Sequence, residues 1–153
     1  MTDQDWDQLK HFTRDDAWGD SSKMNFQLIW LLDCYREYID RPIYVTCGTQ
    51  GKHSPRSWHY SGNAVDVIID KKDTTRMDLI LAAFRFPFSG FGIYPYVLHT
   101  ECSEPIGFHF DSRPVSSLPR GITQAQWMGI KQKDGSNKYV EMNKSNFLTY
   151  GII

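Results

Sequence analysis

The chain has 153 residues, 41% of them apolar and 14% aromatic, which is enough for one domain with its own core and too apolar for a disordered segment. Seventeen basic and eighteen acidic residues leave a formal net charge of -1, so no global field favours nucleic acid or an anionic membrane surface. Cys34, Cys47 and Cys102 form an odd set without CxxC spacing; this argues against a disulfide framework or a cysteine zinc finger and predicts buried free thiols.

Met1 to Lys10 is polar and acidic, so no secretion signal is expected, and no window approaches the length of a membrane span. A polar lead-in carrying Trp6, Phe12 and Trp18 follows. Between Asn25 and Ile39, Leu28, Leu31, Leu32, Tyr35 and Ile39 recur at helical spacing and predict the main helix, with Ser21 or Ser22 as its cap. Arg41-Pro42 stops it, and Ile43 to Thr46 reads as a strand. Gly48 to Ser57 has the composition of a surface loop, the kind of segment that carries binding residues. Ala64 to Ile69 is a second strand whose period of two puts Asp66 on one face with Ala64 and Ile68. Asp70 to Thr74 caps a second helix with Met77, Ile80, Leu81 and Phe84 on its buried side, and Gly90 to Tyr94 is a third strand. In a fourth strand His109, Asp111 and Arg113 share one face while Phe108 and Phe110 point to the other. Beyond Pro114 a short helix is expected near Trp127 and Met128, with Asp134-Gly135 turning a closing hairpin, and no chemistry is expected there. The sum is a single α+β domain over residues 1–153, with a small, mainly antiparallel sheet packed with helices.

The chemistry concentrates in two short stretches. His59 and Asp66 lie seven residues apart across a bend that Gly62 permits, and His109 offers a third ligand from its strand. A lone strand histidine is more often a surface or core residue than a ligand, but three ligands in a patterned frame change that balance. A His, Asp, His shell suits zinc with one position left open, and an open position on zinc usually means hydrolysis.

The spacing Ser57-x-His59-x-x-Gly62-x-Ala64-x-Asp66 resembles the signature of the zinc D-alanyl-D-alanine carboxypeptidases and related peptidoglycan peptidases. Gly107-x-His109-x-Asp111-x-Arg113 is similar to the strand that supplies that family's last zinc ligand, and Gly90 to Pro95 to the short strand before it, at a slightly different spacing. The resemblance covers roughly residues 25–114. It implies the fold that these enzymes share with the hedgehog signalling domain. Hedgehog-type domains bind zinc on this scaffold while acting as ligands, so the shell speaks for zinc more strongly than for turnover.

The family usually carries its general base as a Glu three residues, or a His two residues, before the third ligand. Those positions are Ile106 and Gly107, and neither can take a proton. Glu104 is the best replacement, returned over the metal by a Pro-Ile-Gly bend, as a more distant Glu serves in hedgehog-like sites; Glu101 and His99 follow it, and a solvated loop carboxylate is the competing reading of Glu104. Asp111 suits a supporting role, accepting the spare imidazole N–H of His109, or else pairs with Arg113 at the surface. Relatives commonly have an Arg before the signature, where this chain has Thr49 and Gln50, so Arg56 or Arg113 would have to bind a substrate carboxylate. Ser57 is expected to hydrogen-bond in the turn or to substrate, and Trp58 and Tyr60 to line the cleft or pack in the core.

The resemblance therefore implies hydrolysis of a peptide bond in the peptidoglycan stem, of carboxypeptidase or endopeptidase type, with zinc as cofactor. It also implies action at the cell wall, by phage- or prophage-type export or as a tail-associated enzyme. The rival readings are a zinc-stabilised module that binds cell-wall peptide or protein without cleaving it, and a structural component of a phage-like particle.

Overall fold

A computed structural model describes Met1–Ile153 as an α+β fold: four helices and one open, six-stranded sheet in the order β1-β2-β4-β3-β5-β6. The strands are β1 (Ile43–Cys47), β2 (Ala64–Asp70), β3 (Gly90–Tyr94), β4 (Pro105–Asp111), β5 (Ala125–Lys131) and β6 (Asn137–Val140). All neighbours are antiparallel except β3 and β5, which run parallel. The helices are α1 (Asp3–Trp6), α2 (Phe26–Ile39), α3 (Arg76–Ala83) and α4 (Lys144–Thr149), and none is long and apolar enough to cross a membrane.

Alternation along the strands gives the sheet two unlike faces. Val65, Val67 and Ile69 of β2, Ile106, Phe108 and Phe110 of β4, Phe91 and Ile93 of β3, and Met128 and Ile130 of β5 join one buried core. Leu28, Ile29, Leu32 and Tyr35 of α2 belong to that core, and the buried Tyr35 hydroxyl donates to the Leu79 carbonyl at 2.9 Å, which ties α2 to α3. The residues between them, among them Asp66, Gly92, His109, Asp111 and Trp127, occupy the face the helices leave free.

Three expectations change. α2 is capped by Asn25, whose side chain accepts from Gln27 and Leu28 N–H, and not by Ser21 or Ser22. In α3 the buried residues are Leu79, Ile80, Ala82 and Ala83, whereas Leu81 and Phe84 are exposed; the helix also starts later than Asp70 to Thr74, at the capping box of Thr75 and Asp78. Trp127 and Met128 lie on strand β5, and Asp134-Gly135 does turn the β5–β6 hairpin, with Gly135 at φ 85°. The lead-in is also less polar in place than in sequence. Trp6, Phe12 and Trp18 enter the core, and the Asp33 carboxylate on α2 fastens the segment by accepting from the Lys10 and His11 N–H groups at 3.1 and 2.8 Å.

The turn after His59 docks on the start of α2. Gly62 has φ 71°, its carbonyl accepts from Asn25 N–H at 2.9 Å, and a side chain there would collide with the Lys23 carbonyl. Gly62→Ala should therefore lower stability by about 3 kcal/mol, from the left-handed backbone and the collision together. Chemical denaturation measures this; a change within the noise would show that the turn and α2 are not coupled.

Candidate metal centre

The sheet register sets five residues in one lateral row on the open face. Cys47 of β1 lies opposite Asp66 of β2, Asp66 opposite His109 of β4, His109 opposite Gly92 of β3, and Gly92 opposite Trp127 of β5. Gly92 contributes no side chain, so the His109 and Trp127 rings meet across it with centroids 5.1 Å apart. His59 comes from outside the sheet, on a short 3₁₀ turn (Trp58–Ser61) that Ser57 caps by accepting from the His59 N–H. The turn folds the His59 ring over the row, 5.1 Å from that of His109.

His59, Asp66 and His109 thus converge, with one ligand atom from each within 4.8 Å of the others. Asp66 Oδ1 lies 2.8 Å from His109 Nδ1 and Asp66 Oδ2 lies 3.4 Å from His59 Nε2. The far nitrogen of each ring is already committed. His59 Nδ1 is 2.7 Å from the Gly48 carbonyl and His109 Nε2 is 3.1 Å from Asp111 Oδ2. A carbonyl and an ionised carboxylate only accept, so those two nitrogens carry the protons and the opposite ones are turned toward Asp66. This is the arrangement that metal-binding histidines need, with the outer partner fixing tautomer and ring direction.

Asp111 is fully buried and accepts from Arg113 as well as from His109. The row it occupies is otherwise small, with Ala64, Gly90 and Ala125 opposite it in turn, and a Cβ on Gly90 would overlap its carboxylate. The two roles expected of Asp111 are held together in one buried chain, His109 to Asp111 to Arg113, and the Arg113 guanidinium also lies over the Trp127 ring at 5.3 Å.

Protonation follows from these contacts. Burial opposes charge on His59, but Asp66 and Cys47 outweigh it and raise its pKa to about 9. His109 is raised in the same way, against burial, by Asp111 and Asp66. Burial likewise opposes ionisation of the carboxylates, yet the two histidines hold Asp66 well below its ordinary value, and Arg113 with His109 hold Asp111 at about 2. The cluster without a cation therefore keeps a proton on each ring nitrogen that faces Asp66. One divalent cation can replace those two protons with no change in charge, so the donor set fits a metal.

The cluster opens into a cleft of about 690 Å³ whose walls include Lys52, Arg56, Trp58, Tyr94, Trp127 and Tyr139. Ser57, Arg56 and Arg113 all border it, but Ser57 is engaged in the turn and Arg113 with Asp111, whereas neither Arg56 nor Lys52 is in an ion pair. Burial raises the Tyr94 hydroxyl well above its ordinary pKa, so it stays an O–H donor; Trp127, Asp66 and Tyr139 are its surroundings. The C-terminal segment, expected to carry no chemistry, thus supplies Trp127, Asn137 and Tyr139 to the cleft.

The expected base is not there. Pro105, Ile106 and Gly107 pair with Asp70, Ile69 and Ile68 as regular strand, so the bend that was to return Glu104 does not form. Glu104 sits five residues up an extended strand from His109, a span of about 17 Å, and pairs with Lys71 at 2.6 Å. His99 lies beside the Tyr44 ring at 4.7 Å, and Glu101 is exposed in the adjoining turn; neither borders the cleft. No glutamate lines it, and Asp66 is its single carboxylate.

Two residues near the cluster carried no assigned role. Strand alternation puts Cys47 on the core face with Ile43 and Val45, but a bulge between Val45 and Cys47 inserts Thr46 and turns Cys47 onto the face of Asp66. His53, from the loop, stacks on His59 with ring centroids 4.1 Å apart and planes 4° from parallel. Its position in a Gly-, Ser- and Pro-containing loop just before the signature was the available signal. Tyr60, expected in the cleft or the core, is exposed and holds that loop through bonds to the His53 backbone at 2.9 and 3.0 Å.

Comparison of the chain with protein-family models and with curated protein sequences finds no match.

The raised His59 pKa fixes the pH response of the metal-free protein. Its ordinary value is 6.5, so the stabilising proton is fully present below that and is lost as pH rises through about 9. The depressed carboxylates act in the opposite sense: their contribution is present above the ordinary 3.8 and is lost as pH falls through their lowered values. With chelator present, the thermal midpoint should fall between pH 6.5 and 9, and saturating Zn2+ should flatten that fall. Metal uptake at pH 7 should release at least the proton held by His59, measured by calorimetry in buffers of different ionisation enthalpy. Release of none would mean that the cation does not replace the ring protons.

Proposed function

We propose that the chain is a mononuclear zinc hydrolase that cleaves a peptide bond in the peptidoglycan stem. The observation that carries the reading is the convergence of His59, Asp66 and His109, each ring held by its outer partner, on a cleft with room for substrate. The match to the zinc D-alanyl-D-alanine peptidase signature at Ser57, His59, Gly62, Ala64 and Asp66 supports the substrate class. It also supports assignment of the α+β fold to the type shared with hedgehog domains. Two imidazoles and one carboxylate select zinc over magnesium or calcium, which prefer oxygen shells.

Zinc, when bound, supplies Lewis acidity at the scissile carbonyl and lowers the pKa of water. The chain's own residues do the rest. His53 takes and returns the proton: its Nε2 lies 2.8 Å from the Gln50 carbonyl and so carries the hydrogen, which leaves Nδ1 as a free base. The Tyr94 hydroxyl donates to the oxyanion that develops on the carbonyl. Arg56 and Lys52, the unpaired cations on the rim, hold the carboxylate at the end of the stem peptide. Trp58, Trp127 and Tyr139 offer flat apolar walls to the remainder.

A second reading, a zinc-stabilised module that binds cell-wall peptide without cleaving it, has one observation in its favour: no glutamate lines the cleft. Purified muropeptides incubated with the zinc-loaded protein and resolved by mass separate the two. Free D-alanine identifies a carboxypeptidase, two peptide fragments an endopeptidase, and bound but intact peptide the binding module. In the active case His59→Ala should abolish zinc binding and turnover together, and His53→Gln should lower kcat by about 100-fold with zinc retained. Arg56→Ala should raise KM by about tenfold at nearly constant kcat.

A further inference from the structure

We infer that Cys47, His53 and His59 form a second, thiophilic metal site beside the first, with the His59 ring between the two. Cys47 Sγ lies 3.2 Å from His53 Nε2, and both approach the Gln50 carbonyl oxygen, at 2.9 and 2.8 Å. His59 Nδ1 is 4.0 Å from the same sulfur, and the three side-chain ligand atoms all lie within 4.8 Å of one another. A tetrahedral ion with bonds of about 2.0 to 2.3 Å holds its donors roughly 3.3 to 3.8 Å apart, a spacing that the observed distances bracket. The His53 and His59 planes are 4° from parallel, so the His53 ring must turn out of that stack for both nitrogens to face one ion. A carbonyl oxygen within reach of both side chains supplies a further donor.

The donor types decide the ion. A thiolate with imidazole selects zinc or cadmium and discriminates against magnesium and calcium. Entry of the cation expels the Cys47 thiol proton to solvent and moves the His53 proton from Nε2 to Nδ1, so the ring stays neutral. His59 joins when the Nδ1 proton it shares with the Gly48 carbonyl is also released to solvent, which leaves an imidazolate with one nitrogen turned to each site. Occupancy of the second site also removes His53 from proton transfer, which makes a thiophilic cation in excess an inhibitor of the proposed hydrolysis. The site itself rests on the geometry of these residues and not on the peptidase reading.

The test is a Cd2+ titration of the 153-residue chain carrying Cys34→Ser and Cys102→Ser, so that Cys47 is its one remaining thiol. Bound metal is counted by equilibrium dialysis and the cadmium–thiolate charge-transfer band is followed in the ultraviolet, with circular dichroism to verify the fold. Two ions should bind, one of them with the band. Adding Cys47→Ser should remove the band and one ion, and His53→Gln should weaken the band-forming step by at least about tenfold. Adding His109→Ala should remove the other ion and leave the band. A single bound ion without the band would overturn the inference, and so would a band whose affinity ignores His53→Gln, because the thiol would then be acting alone. A single ion that gives the band and persists in His109→Ala would uphold this site and refute the first.

Discussion

The candidate centre depends on the pairing of β2 with β4. That pairing sets Asp66 opposite His109, and because side chains alternate along both strands, a slip of one residue would send one of them into the hydrophobic core. The core prevents the slip: Val65, Val67 and Ile69 on one strand and Ile106, Phe108 and Phe110 on the other must all face the same side. The apolar packing that stabilises the sheet therefore fixes the register, and the register fixes the polar row. Trp127 enters that row by the same logic from β5, and the bare Gly92 between it and His109 lets the two rings touch.

The second constraint is electrostatic. Asp111 is buried with Arg113 and His109 as its ionic partners, and a buried ion pair of this kind gives little net stability over an apolar replacement because of the cost of desolvating it. Removing one partner, in contrast, leaves a buried charge alone. The small neighbours Ala64, Gly90 and Ala125 form a pocket for this carboxylate that a larger side chain would fill. Such an arrangement is explained by what it does to His109: it sets the tautomer, aims Nδ1 at Asp66 and limits rotation of the ring.

Those parts of the molecule that obey simple periodicity were legible in the sequence. The main helix, strands β1 to β4 and the placement of Asp66, His109 and Asp111 on the polar face all follow from spacings of 3.6 or two. The polar face of β1 was not legible, because one bulged residue at Thr46 inverts the parity that strict alternation would give Cys47, which was expected only to be a buried free thiol. Glu104 was misplaced because a Pro-Ile-Gly sequence reads locally as a bend; pairing to Asp70, Ile69 and Ile68 holds the same residues extended, a case of tertiary context overriding local preference. β5 failed for a related reason, since its burial comes from a parallel neighbour distant in sequence and its own pattern is short and mixed. The role of Trp127 depends on that pairing and could not be read before it.

His59 differs from the other two ligands in that the sheet does not hold it. Asp66 and His109 are fixed by backbone pairing, while His59 is placed by a turn that Ser57 caps, Gly62 bends and Asn25 anchors to α2. Its ring is then clamped between the Gly48 carbonyl, the stacked His53 and Asp66. Both candidate clusters use this one imidazole, one at each nitrogen, and an imidazole cannot change protonation at one nitrogen without changing the basicity of the other. A proton, cation or ligand that alters the Cys47 and His53 side must therefore alter the affinity of the Asp66 and His109 side, and linkage requires the converse to the same degree. The coupling needs no movement of the backbone, only the shared ring, which is why the turn that holds His59 is the part of the fold on which both sites depend.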